Sequence, residues 1–182
     1  MIHEAIEYIR KEIREHLDIL DTEIIVDHPH ALKEQNHQNA IFLSLVNLQE
    51  ETSLKNSPFT VRINNQTHSK EPPIHLNLFI LFSFAFSDYK TSLERLSQTM
   101  GFFQRKKFFD GSNAAVPFPA GLKKLIFDLF SLDFERLSYL WGIQGGNYFP
   151  SIVYKVRLIE IQQAEPEIIK EIDTIQVDTE LM

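Results

Sequence analysis

Ile74-His75-Leu76-Asn77-Leu78-Phe79-Ile80-Leu81-Phe82-Ser83-Phe84-Ala85-Phe86 is the longest strand signal in the chain, and the fold is read outward from it. Aromatic and branched side chains suit a pleated, covered surface, and this run is too apolar to leave a face open to water. Its most apolar part, Leu78 to Phe86, is about nine residues long, whereas a membrane-spanning helix needs about 20. The stretch therefore predicts a buried strand and no direct membrane insertion. Ala40 to Leu48 is apolar on both faces apart from Ser44 and Asn47, which predicts a central strand with sheet neighbours and cover on both sides. Between them, Gln49 to Pro73 is polar; Asn64-Asn65 can turn a hairpin after Phe59 to Ile63, and Pro72-Pro73 closes the excursion.

Toward the N-terminus, Ile2, Ile6, Ile9, Ile13, Leu17 and Leu20 recur at steps of three and four, while Glu4, Glu7, Lys11, Glu12 and Arg14 fall elsewhere. This spacing predicts an amphipathic helix with one buried stripe over 2–20. Thr22 to Asp27 predicts a short strand stopped by His28-Pro29-His30. Downstream, Tyr89, Leu93, Leu96, Met100 and Phe103 predict a second helix over 88–106, capped by Ser87 or Asp88. Gly111 to Gly121 reads as a loop and Leu122 to Phe130 as a strand. Ser131 to Gly142 reads as a short helix burying Leu137, Leu140 and Trp141 and stopped by Gly145-Gly146. In Ser151 to Ile161, Ile152, Tyr154, Val156 and Leu158 face one way and Lys155 and Arg157 the other, which predicts a half-exposed strand. The element order implies an α+β single domain: a mixed β-sheet flanked by helices.

Composition narrows the function classes. The net charge of -7 disfavours phosphate-backbone binding, so no nucleic acid is expected as partner. With no Cys there is no disulfide, thiolate metal site or thiol nucleophile, which fits folding in the cytoplasm. The N-terminus carries acids where a secretory signal needs cations. Gly142-Ile143-Gln144-Gly145-Gly146 lacks the spacing of a dinucleotide loop. His28, His30 and His37 straddle a proline turn with no regular spacing to aim them at one metal ion. Glu50-Glu51 would point to opposite faces of an extended chain, and no Ser sits in a nucleophile elbow. Arg105, Lys106, Lys107, Lys123 and Lys124 form a possible basic patch, read as a solvated helix end or a protein contact. Neither catalytic residues, nor a metal site, nor a cofactor is expected. Phe102, Phe103, Trp141 and Tyr154 could serve as contact hot spots but read as core.

Four blocks carry a resemblance. They are Leu45-Val46-Asn47-Leu48-Gln49-Glu50-Glu51-Thr52-Ser53-Leu54-Lys55-Asn56, then Pro72 to Phe82, then Leu96-Ser97 with Gly101-Phe102-Phe103-Gln104, and finally Leu140-Trp141 with Tyr148 to Arg157. In this order, over about residues 2–162, the chain resembles the cap-protein family of extracellular contractile injection systems, the antifeeding-prophage and virulence-cassette type. The segment Gly142 to Asn147 is more glycine-rich than that pattern. The resemblance implies a phage tail-terminator-like fold and a non-enzymatic structural role. It implies a homo-oligomeric ring, a hexamer, that ends and stabilises inner tube and sheath, with sheath and inner tube subunits as partners. Such a chain would assemble in the cytoplasm and sit at the end of the particle. The alternative from the residues alone is a small enzyme or ligand-binding domain with a pocket on the Phe-rich sheet.

The chain divides into a domain, 1–163, and an acidic tail, 164–182. The tail holds Glu165, Glu167, Glu171, Asp173, Asp178 and Glu180 against Lys170 alone, which places -5 of the chain's -7 there. Glu165, Ile168, Ile169, Ile172, Ile175 and Val177 are the candidate interaction residues. Two readings stay open: an arm that docks on a neighbouring subunit or the last sheath layer, and a terminal helix folded back on its own domain.

Overall fold

The computed structural model describes residues 1–28, 39–51, 60–63, 66–69, 74–161 and 167–168. In chain order these form α1 (Ile2–Leu17), a 3-10 turn (Asp21–Glu23), β1 (Ile24–Val26), β2 (Ala40–Glu50), β3 (Thr60–Ile63), β4 (Gln66–Ser69) and β5 (Ile74–Ala85). They continue with α2 (Tyr89–Arg105), β6 (Phe108–Phe109), β7 (Leu125–Phe130), α3 (Phe134–Ile143), β8 (Ser151–Ile161) and β9 (Glu167–Ile168).

β5 runs through the middle of a six-stranded sheet ordered β1-β2-β5-β8-β7-β6. β1 and β2 are parallel and the other neighbours antiparallel, so the sheet is mixed, as the element order predicts. Every β5 residue from Leu76 to Ala85 is buried. Its two faces meet different layers. Leu78, Ile80, Phe82 and Phe84 join Ile41, Leu43, Phe127, Tyr154 and Val156 beneath Ile6, Ile9 and Ile13 of α1 and Phe102 and Phe103 of α2. Phe103 stacks on Phe127 at 4.4 Å between ring centroids and lies 4.6 Å from Tyr154. On the other face Phe79, Leu81 and Val153 pack under Trp141 of α3. Each fully buried Phe contributes about 1.5–3 kcal/mol. Phe102, Phe103, Trp141 and Tyr154 are thus core, as their positions on buried stripes imply.

Three expectations need correcting. The two-sided cover predicted for β2 holds from Ala40 to Ser44 only. Past a register shift between Leu45 and Asn47 the strand emerges, and Leu45 and Leu48 are exposed. The stripe on α2 is shifted: Leu96 and Phe103 pack on the core as expected, but Tyr89 and Leu93 face solvent, and Ser92, Thr99 and Phe102 are buried as well. Small side chains let the helix lie close, and Ser92 Oγ accepts a hydrogen bond from Phe86 N at 3.3 Å. In α1, Glu12 is buried with Tyr8, whereas Leu20 lies outside the helix and is exposed. The helix ends where Asp18 takes a left-handed conformation at φ 49°.

The local stop and start signals hold. Asp88 caps α2, its carboxylate accepting from the backbone N–H groups of Lys90 and Thr91. At the end of α3, Gly145 and Gly146 have φ of 92° and 80°, and Gly146 N donates to Trp141 O at 2.7 Å. An added Cβ on Gly146 would meet nothing within 4 Å, so a side chain there costs only left-handed backbone strain. Gly146→Ala is expected to lose about 1–2 kcal/mol, read by circular dichroism as a melting temperature a few degrees lower.

β3 and β4 pair antiparallel with Ile63 opposite Gln66, which leaves Asn64-Asn65 between them as the sequence suggests. β9 lies antiparallel on the other edge of β4, giving a separate three-stranded sheet ordered β3-β4-β9. At Glu167 and Ile168 the tail is therefore strand. Glu165, Ile169, Ile172, Ile175 and Val177 lie outside the described residues.

Candidate assembly surface

The polar candidates are spent on structure. Arg105 contacts Gly101 O and His16 Nε2, and His16 stacks on Phe102. The His16 imidazole is held below its usual pKa, first by burial and then by Arg105 and Lys106. Lys106 Nζ donates to Glu12 at 3.0 Å, and Lys124 lies 4.2 Å over the Phe108 ring. Arg105, Lys106 and Lys124 of the basic patch are thus tied within the chain. Glu51 accepts from Asn77 Nδ2 at 3.0 Å and anchors its own N–H on His75 O. His28 lies 3.6 Å from Asp27, while His30 and His37 fall outside the described residues. Among the described residues no group of three or more His, Cys, Asp or Glu is placed to hold a metal ion.

The buried carboxylate of Glu12 gathers hydrogen bonds from several elements. Tyr8 Oη donates to it at 2.8 Å, Ala115 N at 2.6 Å and Val116 N at 3.1 Å. It joins α1, the end of α2 and the loop after β6, and all its partners come from the fold itself. Burial of Tyr8 and its hydrogen bond to Glu12 push the phenol pKa up. No sequence period marks Glu12, because apart from Tyr8 its partners Lys106, Ala115 and Val116 lie far along the chain.

Around α3 the fold leaves apolar surface open. α3 turns Leu137, Leu140 and Trp141 inward, yet it also exposes Tyr139 (64% exposed) and Ile143 (83%) along the groove side and, half a turn around the helix from Ile143, Phe134 (92%). Leu129 and Phe130 at the end of β7 are also exposed. Between α3 and the sheet runs an open groove of about 300 Å³, lined by Val46, Phe79, Phe130, Leu132, Leu140 and Ile143, with Arg136 among its few polar neighbours. Large apolar side chains exposed beside an apolar groove mark an interaction surface. On the opposite face of the sheet Leu45 and Leu48 of β2 are also exposed.

A mixed sheet with two helices on one face, a third on the other and an uncovered apolar surface defines an α+β scaffold equipped for protein contact. Residues 4–173 match the Pvc16 N-terminal domain, and the chain belongs to that family. The resemblance read from the ordered sequence blocks is borne out. Among solved structures the chain is similar to the PVC sheath/tube terminator of an extracellular contractile injection system in its extended state. That match has a TM-score of 0.70 at 12% identity and covers 100% of this chain and 65% of the other. It is also similar to the anti-feeding prophage cap, the AFP tube-terminating cap, with a TM-score of 0.63 at 12% identity, covering 94% of this chain and 58% of the other. The tail-terminator-like fold expected from sequence is thereby shown. The chain spans less than two thirds of the length of either solved relative. No curated protein matches it.

Proposed function

We propose that this protein is the structural cap of a contractile injection system, a ring of six copies that ends and stabilises the inner tube and the sheath. Membership of the Pvc16 N-terminal domain family over residues 4–173 carries the reading, and the fold shared with a sheath/tube terminator supports it. The cap is non-enzymatic and needs no cofactor: it acts by binding copies of itself and the subunits of tube and sheath. It assembles in the cytoplasm and remains at the end of the particle. No described helix is long and apolar enough to cross a membrane.

A closed ring with head-to-tail contacts needs two unlike surfaces on each copy. We assign these to the α3 surface with its groove and to the side of β2 that exposes Leu45 and Leu48 on the opposite face. The copy number follows the six-fold tube that the family resemblance implies. The rival reading, a pocket on the Phe-rich sheet, has an open cleft of about 560 Å³ edged by Met100, Phe103, Phe127 and Tyr154 in its favour, but family membership over residues 4–173 favours the cap.

Deleting the gene is expected to change length control. Without a terminator, tube and sheath ends stay open to addition or fall apart. Electron microscopy of particles from the deletion strain should show variable or unravelled ends, and normal-length contractile particles would refute the assignment.

A further inference from the structure

We propose that in the ring β9 of each copy pairs with β4 of the neighbouring copy, a strand exchange that fastens the ring; this rests on the ring reading above. The seat itself is visible. β9 lies antiparallel to β4, with Ile168 opposite His68 and Glu167 opposite Ser69. The three-stranded sheet shares no ladder with the six-stranded one, so this pairing extends the hairpin and not the main sheet. An added strand is held by main-chain hydrogen bonds, which are the same whichever copy supplies it. Exchange of an identical element between protomers keeps every contact and makes it an intermolecular one.

Charge matches donor to seat. Residues 55–70 hold Lys55, Arg62 and Lys70 with no Asp or Glu, in a chain whose net charge is -7. The tail opposes them with six acids against Lys170. Reach allows the exchange as well. Only residues 162–166 lie between Ile161, the end of β8, and Glu167, and six extended steps span at most about 20 Å. β8 ends opposite Ile74, and residues 70–73 alone separate β4 from that strand. Tail and hairpin thus leave each copy at the same end of the sheet, and a ring that brings these ends together sets donor beside seat. Paired within one chain, two residues hold only the root of the tail. Paired between copies, the ladder must break before a copy can leave.

The chain has no Cys, so an introduced pair is the only thiol chemistry present. The double variant His68→Cys/Ile168→Cys, and independently Ser69→Cys/Glu167→Cys, should be assembled into rings and oxidised or treated with a short bis-maleimide. Each single-cysteine variant serves as control. On a non-reducing denaturing gel, most of the cross-linked chain is expected as a ladder of covalent dimers up to hexamers that the single variants do not give. Cross-linked monomer alone from assembled rings would overturn the exchange, and so would the absence of any cross-link in both pairs. Light scattering on wild type and variants is read in parallel. If all stay monomeric even with tube and sheath subunits, the ring itself fails and the exchange fails with it; rings with monomeric cross-links sink the exchange alone.

Discussion

Replacing Glu12 by alanine is expected to lower the stability of the fold by about 3–5 kcal/mol, the range found when one partner of a buried ion pair is removed. The carboxylate is 2% exposed and has four donors: the Tyr8 hydroxyl, the Lys106 ammonium and the backbone N–H groups of Ala115 and Val116. Its loss leaves these polar groups unpaired at the junction of α1, α2 and the loop after β6. For a chain of this size about 1 kcal/mol corresponds to about 2–4 °C, so the melting temperature should fall by on the order of 10 °C. Burial alone would raise the Glu12 pKa. The hydrogen bonds from Val116, Lys106, Tyr8 and Ala115 outweigh it and hold the group below the usual carboxylate value. A carboxyl whose folded pKa is depressed contributes stability that is complete above its unfolded pKa and fades as pH falls through the folded value. The gap in unfolding free energy between wild type and Glu12→Gln should therefore be widest near neutral pH and close as the solution becomes acid. Denaturant titrations at several pH values check this, and a gap that does not change with pH would show that the charge of Glu12 is not what holds the junction.

Glu12 also shows where sequence reading stops. A period of three to four assigns charged positions to water, and α1 obeys that rule at Glu4, Lys11 and Glu15. At Glu12 it is overruled by Lys106 and by the backbone of Ala115 and Val116, groups about a hundred residues away whose arrival no local pattern announces. The two-residue strand β6 is missed for a related reason: Phe108-Phe109 is too short to show alternation, and its pairing with β7 is a tertiary event. By contrast β5 is legible because two covered faces demand an apolar run, and the β3-β4 hairpin because Asn64-Asn65 can turn between two short strands. On α2 the apolar period placed Leu96 and Phe103 correctly but not Tyr89 and Leu93, since the small Ser92 and Thr99 lie inward. The α3 surface was half legible. Phe134, Leu137, Tyr139, Leu140, Trp141 and Ile143 are more apolar residues than one stripe of a ten-residue helix can bury, but only the structure shows which of them the sheet leaves uncovered.

That surplus sets the largest functional effect. Phe134→Asp and Ile143→Lys, made together, are expected to abolish ring formation and capping while leaving the isolated fold intact. Phe134 opens α3 and Ile143 closes it, and an acid in the first turn and a cation in the last both suit the helix dipole. Both side chains lie almost wholly in water in the single copy, so the cost to folding should stay within about 0.5 kcal/mol, as for other surface changes. The proposed ring would cover the same positions, and an unpaired charge carried into an apolar contact is strongly unfavourable. Aromatic anchors at such a contact are worth about 2 kcal/mol or more when truncated, and each 1.4 kcal/mol is tenfold in affinity. A loss of this size at every junction leaves no closed ring at concentrations where wild type is assembled. Size-exclusion chromatography with light scattering should show a monomer with wild-type melting temperature, and tube and sheath should fail to terminate when the variant replaces the native chain. Rings of normal size from the double variant would show that this surface of α3 is not the ring contact. A variant that melts well below wild type would show that Phe134 and Ile143 support the fold itself.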